Sequence, residues 1–282
     1  MIGLLLAAQM FSPTDPSALR PVYEKAIVLR AREFGEKSPE AARTMVDYAG
    51  FLGQSGDGPK AVEWLRKSLA IQSSLETKQM LAVLLEPLDA AASLELHLEI
   101  ATQGTGEMAA ASEARIGELA EREGDIRGAE KAYRQAVAQS VVEDKLAVRL
   151  NTLALLLKAQ TSKNAEAEAL FRRAIAIQQR RLGAKHPELG TTLNNLSGLL
   201  LDLNRPAEAE PVARRALSVF DGSVGPEHVR SALAASNLAD ILVARGLKAQ
   251  ARPLYERALR VFERRLGPNH AWTMDARAAL RP

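Results

Sequence analysis

"RLGAKH" at residues 181–186, "SVGPEH" at 223–228 and "RLGPNH" at 265–270 each hold an apolar residue, a glycine, two variable positions and a histidine. His186, His228 and His270 are three of only four histidines in 282 residues, and they stand 42 apart (228 − 186 = 270 − 228 = 42). Evenly spaced imidazoles raise the question of metal or proton chemistry, because histidine is a common metal ligand and titrates near neutral pH. Their surroundings answer it. "NNLSGLLLDLNRPAEAEPVARRALSVF" (194–220) matches "SNLADILVARGLKAQARPLYERALRVF" (236–262) at the same offset of 42. "LNTLALLLKAQTSKNAEAEALFRRAIAIQ" (150–178) matches both once one extra residue is allowed in its turn. The histidines recur because everything around them recurs, and a fixed period of this length marks a repeat architecture.

Inside each unit, small residues keep fixed steps. Ala239, Ala251, Tyr255 and Ala258 are separated by 12, 4 and 3, and so are Ser197, Ala209, Ala213 and Ala216. The steps return in Gly117, Ala129, Tyr133 and Ala136, and again in Ala49, Ala61, Leu65 and Ser68. Ala154, Ala167, Phe171 and Ala174 differ only by the inserted residue. Small residues 12 apart suit two antiparallel helices that cross closely, where a larger side chain would force the backbones apart. Gly183, Gly225 and Gly267 fall where these helices end, at positions that call for a left-handed residue.

The composition agrees with helices. Ala and Leu dominate a hydrophobic fraction of 47%, with few β-branched or aromatic residues. Lys plus Arg is 37 and Asp plus Glu is 34, so the net charge is only +3, and aromatics make up 4%. A nucleic-acid binder clusters basic residues with stacking aromatics, so that class is set aside. The chain has no cysteine and hence no disulfide or thiolate chemistry. "MIGLLLAAQMF" (1–11) is too short to span a bilayer and lacks a basic n-region. It reads as a helix packed on the first hairpin, or alternatively as a degenerate or truncated signal. The chain is expected to be soluble, in the cytoplasm under the first reading and exported under the second.

The stretch "IGELAEREGDIRGAEKAYRQA" (116–136), with its small–small–aromatic–small spacing and Gly-Asp turn, resembles a tetratricopeptide repeat (TPR). The units carrying "LNNL" (193–196) and "LGPNH" (266–270) resemble the longer, 42-residue version of kinesin light chains and many bacterial proteins. HEAT and armadillo units have a similar length but not the 12-4-3 spacing. The resemblance implies an all-α fold, a right-handed α-solenoid of stacked antiparallel helix hairpins forming a TPR superhelix. A single solenoid over 1–282 is expected: a half repeat at 1–35, six hairpins over 39–266 and a capping helix at 270–282. The hairpin at 76–104 is degenerate, because a proline shortens its turn and the aromatic position is lost. The lone helix at 17–35 matches 250–267, with Pro21 on Pro253, Tyr23 on Tyr255 and Gly35 on Gly267.

In such a stack the three histidines sit at helix junctions roughly 18–20 Å apart, two helix diameters of 8–10 Å, and cannot share an ion. Each can instead satisfy free main-chain groups at a helix start. "GQSGDGPK" (53–60) holds three glycines before a lysine but lacks the strand and the Gly-Lys-Ser/Thr end of a phosphate loop. Glu166, Glu168, Glu208 and Glu210 read as solvated helix surface, and Arg172/Arg173 and Arg214/Arg215 as an outer face. No nucleophile, base and oxyanion donor assemble. No catalytic residue, metal ligand or cofactor is therefore expected.

By the same resemblance, ligand-facing residues lie two and three positions before the central small residue of each first helix. Those positions carry Asn151 and Thr152, then Asn194 and Asn195, then Ser236 and Asn237. Earlier units are mixed there: Asp47, Met80 and Arg115. An amide both donates and accepts, so a ladder of asparagines can satisfy an extended peptide backbone, or can brace adjacent helices. Lys158, Asp240, Arg115 and Glu118 lie nearby and add charge. The carboxylate clamp of the family is not matched. The expected function is a non-enzymatic scaffold holding a peptide or protein segment in the concave groove, with self-association through the terminal helices as the alternative.

Overall fold

The protein is described by a computed structural model covering residues 19–281; the "MIGLLLAAQMF" stretch lies outside the described residues. Among the described residues the regular structure is helical throughout, with 14 α-helices in stacked pairs and no strand. The chain gathers into two compact units divided between Glu123 and Gly124. The first holds α1 (Arg20–Phe34), α2 (Pro39–Gln54), α3 (Gly58–Ile71), α4 (Leu75–Leu85), α5 (Ala90–Gln103) and α6 (Gly106–Arg122). The second holds α7 (Ile126–Gln139), α8 (Glu143–Lys158), α9 (Asn164–Arg181), α10 (Pro187–Asp202), α11 (Pro206–Ser223), α12 (Val229–Ala244), α13 (Lys248–Leu266) and α14 (Ala271–Ala279).

The helix boundaries have local causes. Ser38, Ser74 and Asp89 cap α2, α4 and α5 by accepting a hydrogen bond from the third residue on. In the second unit the repeated histidines do this work. Nδ1 of His186, His228 and His270 accepts from the main-chain N–H of Glu188, Arg230 and Trp272 at 3.2, 3.1 and 3.3 Å. At the preceding helix end Gly267 has φ +89° and ψ +168°. That is positive φ, as anticipated, but in the extended mirror region rather than the helical one, a conformation essentially confined to glycine. The residue inserted near 161 becomes a short 3₁₀ turn, Thr161–Lys163, ahead of α9.

Every residue of the 12-4-3 series is buried in the five units that carry it. Between α10 and α11 the approach is close enough that a Cβ on Gly190 would meet the Phe220 ring at 3.0 Å. The rows of second helices are tied by ion pairs of one pattern. The acid that follows the small residue, Glu130, Glu168 or Glu210, meets a base in the next hairpin turn, respectively Lys163, Arg205 and Arg245. These carboxylates are only 13–16% exposed, so the reading of Glu168 and Glu210 as solvated surface is corrected: a neighbour's cation replaces their water. The last unit carries Arg252 at this position, and its partner is Glu256 of its own helix, 3.0 Å away.

In the first unit the shortened hairpin α4–α5 buries polar groups. Ser93 donates to the carbonyl of Ala82 at 2.9 Å. His97 is 1% exposed, with Nδ1 3.4 Å from Ser112 Oγ and Nε2 3.8 Å from Glu86, too far for a hydrogen bond.

Candidate functional site

Three first helices, α8, α10 and α12, lie side by side in the second unit, α10 touching both of the others. Ala154, Ser197 and Ala239 turn one face of each inward and are buried. The residues two and three positions earlier are left half-buried at the rim of that face: Asn151 and Thr152, Asn194 and Asn195, Ser236 and Asn237. Val148 and Leu155 on α8 and Val243 on α12 are exposed at 48%, 42% and 38%, so these helices combine amides with solvent-facing apolar side chains.

The amides are joined in one repeated geometry. Asn195 Nδ2 donates to Asn151 Oδ1 at 3.0 Å, and Asn237 Nδ2 donates to Asn194 Oδ1 at 3.0 Å. In both, the residue two before the small position reaches the residue three before it on the preceding helix. Asn237 Nδ2 also lies 2.8 Å from Ser197 Oγ and 3.3 Å from the Asn194 carbonyl. With two hydrogens on that nitrogen, two of its three acceptors are satisfied at a time. Each pair consumes one N–H and part of one C=O. An amide has two N–H and two lone pairs, so the amides of Asn151 and Asn194 and the carbonyls of Asn195 and Asn237 retain bonding capacity.

The charged residues of the candidate set separate. Lys158 Nζ reaches 2.9 Å from Asp202 on α10, passing over Gly198, where a Cβ would sit 3.2 Å from that nitrogen. Its charge is therefore held by the protein itself. Arg115 lies on α6 of the first unit, where Glu86 and Glu118 hold its guanidinium. Asp240 stays with the amides. Together with Asn194 and Asn237 it lines a pocket of about 280 Å³, closed by Tyr255 and Phe262 of α13 and by Trp272 and Asp275 of α14. Asp240 Oδ1 accepts from the Tyr255 hydroxyl at 2.5 Å. Asp240 keeps one side open to water, yet burial against the pocket wall raises its carboxyl above the usual range; the Tyr255 bond lowers it and Asp275 raises it further. Burial, followed by the bond to Asp240, likewise pushes the Tyr255 phenol upward.

Tyr255 had a sequence signal, the aromatic position of the repeat, but that signal pointed to packing. Trp272 and Asp275 had none, because they belong to the terminal helix beyond the last full repeat. Among the described residues no three His, Cys, Asp or Glu side chains cluster as metal ligands would, and no helix is long and apolar enough to cross a membrane.

Two family models, each described as a tetratricopeptide repeat, match the chain, one over residues 145–222 and one over 231–271. Among solved structures, Pseudomonas aeruginosa pilF is 19% identical with a TM-score of 0.59, covering 85% of this chain and 97% of that one. At that identity the likeness concerns the fold alone. BtubC (BKLC) from P. vanneervenii is 21% identical with a TM-score of 0.49, over 89% of this chain and 91% of its own. A kinesin light chain with nearly identical TPR-like repeats from Podospora anserina is 19% identical with a TM-score of 0.48, over 80% and 96%. No curated protein matches the sequence at a significant level.

Proposed function

This chain belongs to the tetratricopeptide repeat family through residues 145–222 and 231–271, and on that premise we propose that it binds an extended peptide or protein segment along α8, α10 and α12, without catalysing a reaction. Repeats of this family are protein–protein interaction scaffolds. The observation that carries the finer reading is the amide ladder. Asn151, Asn194, Asn195 and Asn237 are held in fixed orientations by their mutual bonds and remain half-buried beside exposed Val148, Leu155 and Val243. Groups already oriented lose little freedom when a ligand arrives, which is the advantage of preorganisation. Their unused donors and acceptors suit a peptide backbone, and the apolar side chains suit its side chains.

The test uses peptides selected from a random display library on the full chain, titrated against the wild type and Asn194→Ala/Asn237→Ala. Loss of bonds worth about 0.5–1.5 kcal/mol each should weaken binding by at least about tenfold. The melting temperature should also fall, because Asn237 braces α12 on α10. A lowered melting temperature with unchanged affinity would mean that the amides serve only as braces.

A further inference from the structure

We infer that the pocket between Asp240, Asp275 and Trp272 receives a guanidinium or ammonium group, the side chain of an arginine or lysine in the bound segment; this rests on the groove reading above. Three observations converge. The first is size: about 280 Å³ is at the lower end of small-ligand pockets and fits one long side chain rather than a cofactor.

The second is charge. In this unit the carboxylates of Glu130, Glu168, Glu210, Asp221 and Glu263 each meet an arginine or lysine. Asp240 and Asp275 form no such pair among the described residues, although they come from neighbouring walls of one pocket. Two like charges beside an apolar wall repel each other at reduced dielectric. Asp240 reports that repulsion in its raised carboxyl. A bound cation would relieve it. Tyr255 takes one oxygen of Asp240 and leaves the other for a ligand.

The third is the wall itself. Leu233, Phe262 and Trp272 form an apolar lining against which the methylenes of a long basic side chain can lie while its charge stays at the acidic rim. Trp272 is 39% exposed and adds an aromatic face that attracts cations. An anion would meet two carboxylates. A divalent cation, which takes six to eight oxygens, would meet carbon on one side.

The experiment has two arms. In the first, N-acetylarginine amide, N-acetyllysine amide (free ε-amine) and N-acetylglutamine amide are titrated into nitrogen-15-labelled full chain. The indole N–H resonances of its two tryptophans, Trp64 and Trp272, are followed. The arginine or lysine probe should shift Trp272 saturably and leave Trp64 unmoved, while the glutamine probe shifts neither. Asp240→Asn/Asp275→Asn should weaken this at least tenfold; asparagine keeps the shape and the acceptor for Tyr255, and an unchanged far-UV spectrum will show that the variant folds. Equal shifts by the glutamine probe, no saturation, or full binding by the double variant would overturn the inference.

In the second arm the display-selected peptides are sequenced. A shared basic position, with binding weakened at least tenfold by the same double variant, supports the pocket. Enriched peptides with no basic position overturn the pocket and leave the groove reading standing. A saturable arginine shift with no enriched peptide keeps the pocket and overturns the groove reading.

Discussion

Replacing His186, His228 or His270 by alanine removes one acceptor from one helix start, and the cost can be worked from the geometry. The bond from Nδ1 to the main-chain nitrogen of Glu188, Arg230 or Trp272 is 3.1–3.3 Å long, at the far end of the normal range. Loss of an N-cap side chain costs about 0.5–2 kcal/mol, so about 1 kcal/mol is expected at His186 and at His228. His270 also packs its ring edgewise on Trp272, 5.0 Å between centroids, so His270→Ala should cost somewhat more. The three caps sit on different helices, so their effects should add to about 3 kcal/mol. The second unit spans 159 residues (282 − 123), for which each kcal/mol lowers the melting temperature by about 2–4 °C. The triple alanine variant should therefore melt roughly 6–12 °C lower. The triple asparagine variant should recover most of that loss, because its side-chain oxygen caps the same N–H. Thermal melts of the full chain, with metal analysis in parallel, measure both. Asparagine variants melting as low as the alanine ones, or stoichiometric bound metal lost in the triple variant, would refute the capping account.

Two glycines should respond to alanine with opposite signs. Gly222→Ala has nothing within 4 Å of the new Cβ and should stabilise α11 by about 0.5–1 kcal/mol, whereas Gly190→Ala meets the buried Phe220 ring at 3.0 Å and should destabilise the fold by about 1 kcal/mol, both read from urea melts. Acid should weaken the first unit through His97. Burial holds its pKa below the unfolded value of about 6.5, so its contribution is complete above that pH and is lost as pH falls below it. Urea melts between pH 8 and pH 5 should show this slope in the wild type and not in His97→Gln; parallel slopes would refute it. Glu130, held at a pKa of about 2 chiefly by Lys163, contributes only above the ordinary glutamate range and loses that contribution as pH falls from about 4.5 towards 2. Glu130→Gln should flatten that lower limb of the acid-unfolding curve.

Much of this protein is written in local spacing. A close helix crossing admits only small side chains, so Ala239–Ala251 and its counterparts announce the hairpins before any coordinate is known. A helix that stops must place a residue at positive φ and satisfy the next helix's free N–H groups, so Gly267 and His270 mark a junction and not a metal centre. These constraints act within one or two helices, which is why a linear pattern can carry them. Partner choice across helices is different. Asn195 finds Asn151 44 residues away and Asn237 finds Asn194 at 43, and nothing in the spacing says that such amides bond to each other. Lys158 spends its charge on Asp202 only because Gly198 leaves room for it to cross. Arg115, read with the groove, is held in the other unit by Glu86 and Glu118. Asp240 meets Asp275 because α14 folds back beside α12, past the end of the repeating pattern. Such meetings depend on offsets of an ångström or two between stacked helices, set by the sum of all the packing contacts. Only the tertiary structure could decide which polar groups cancel inside the protein and which are left facing a ligand.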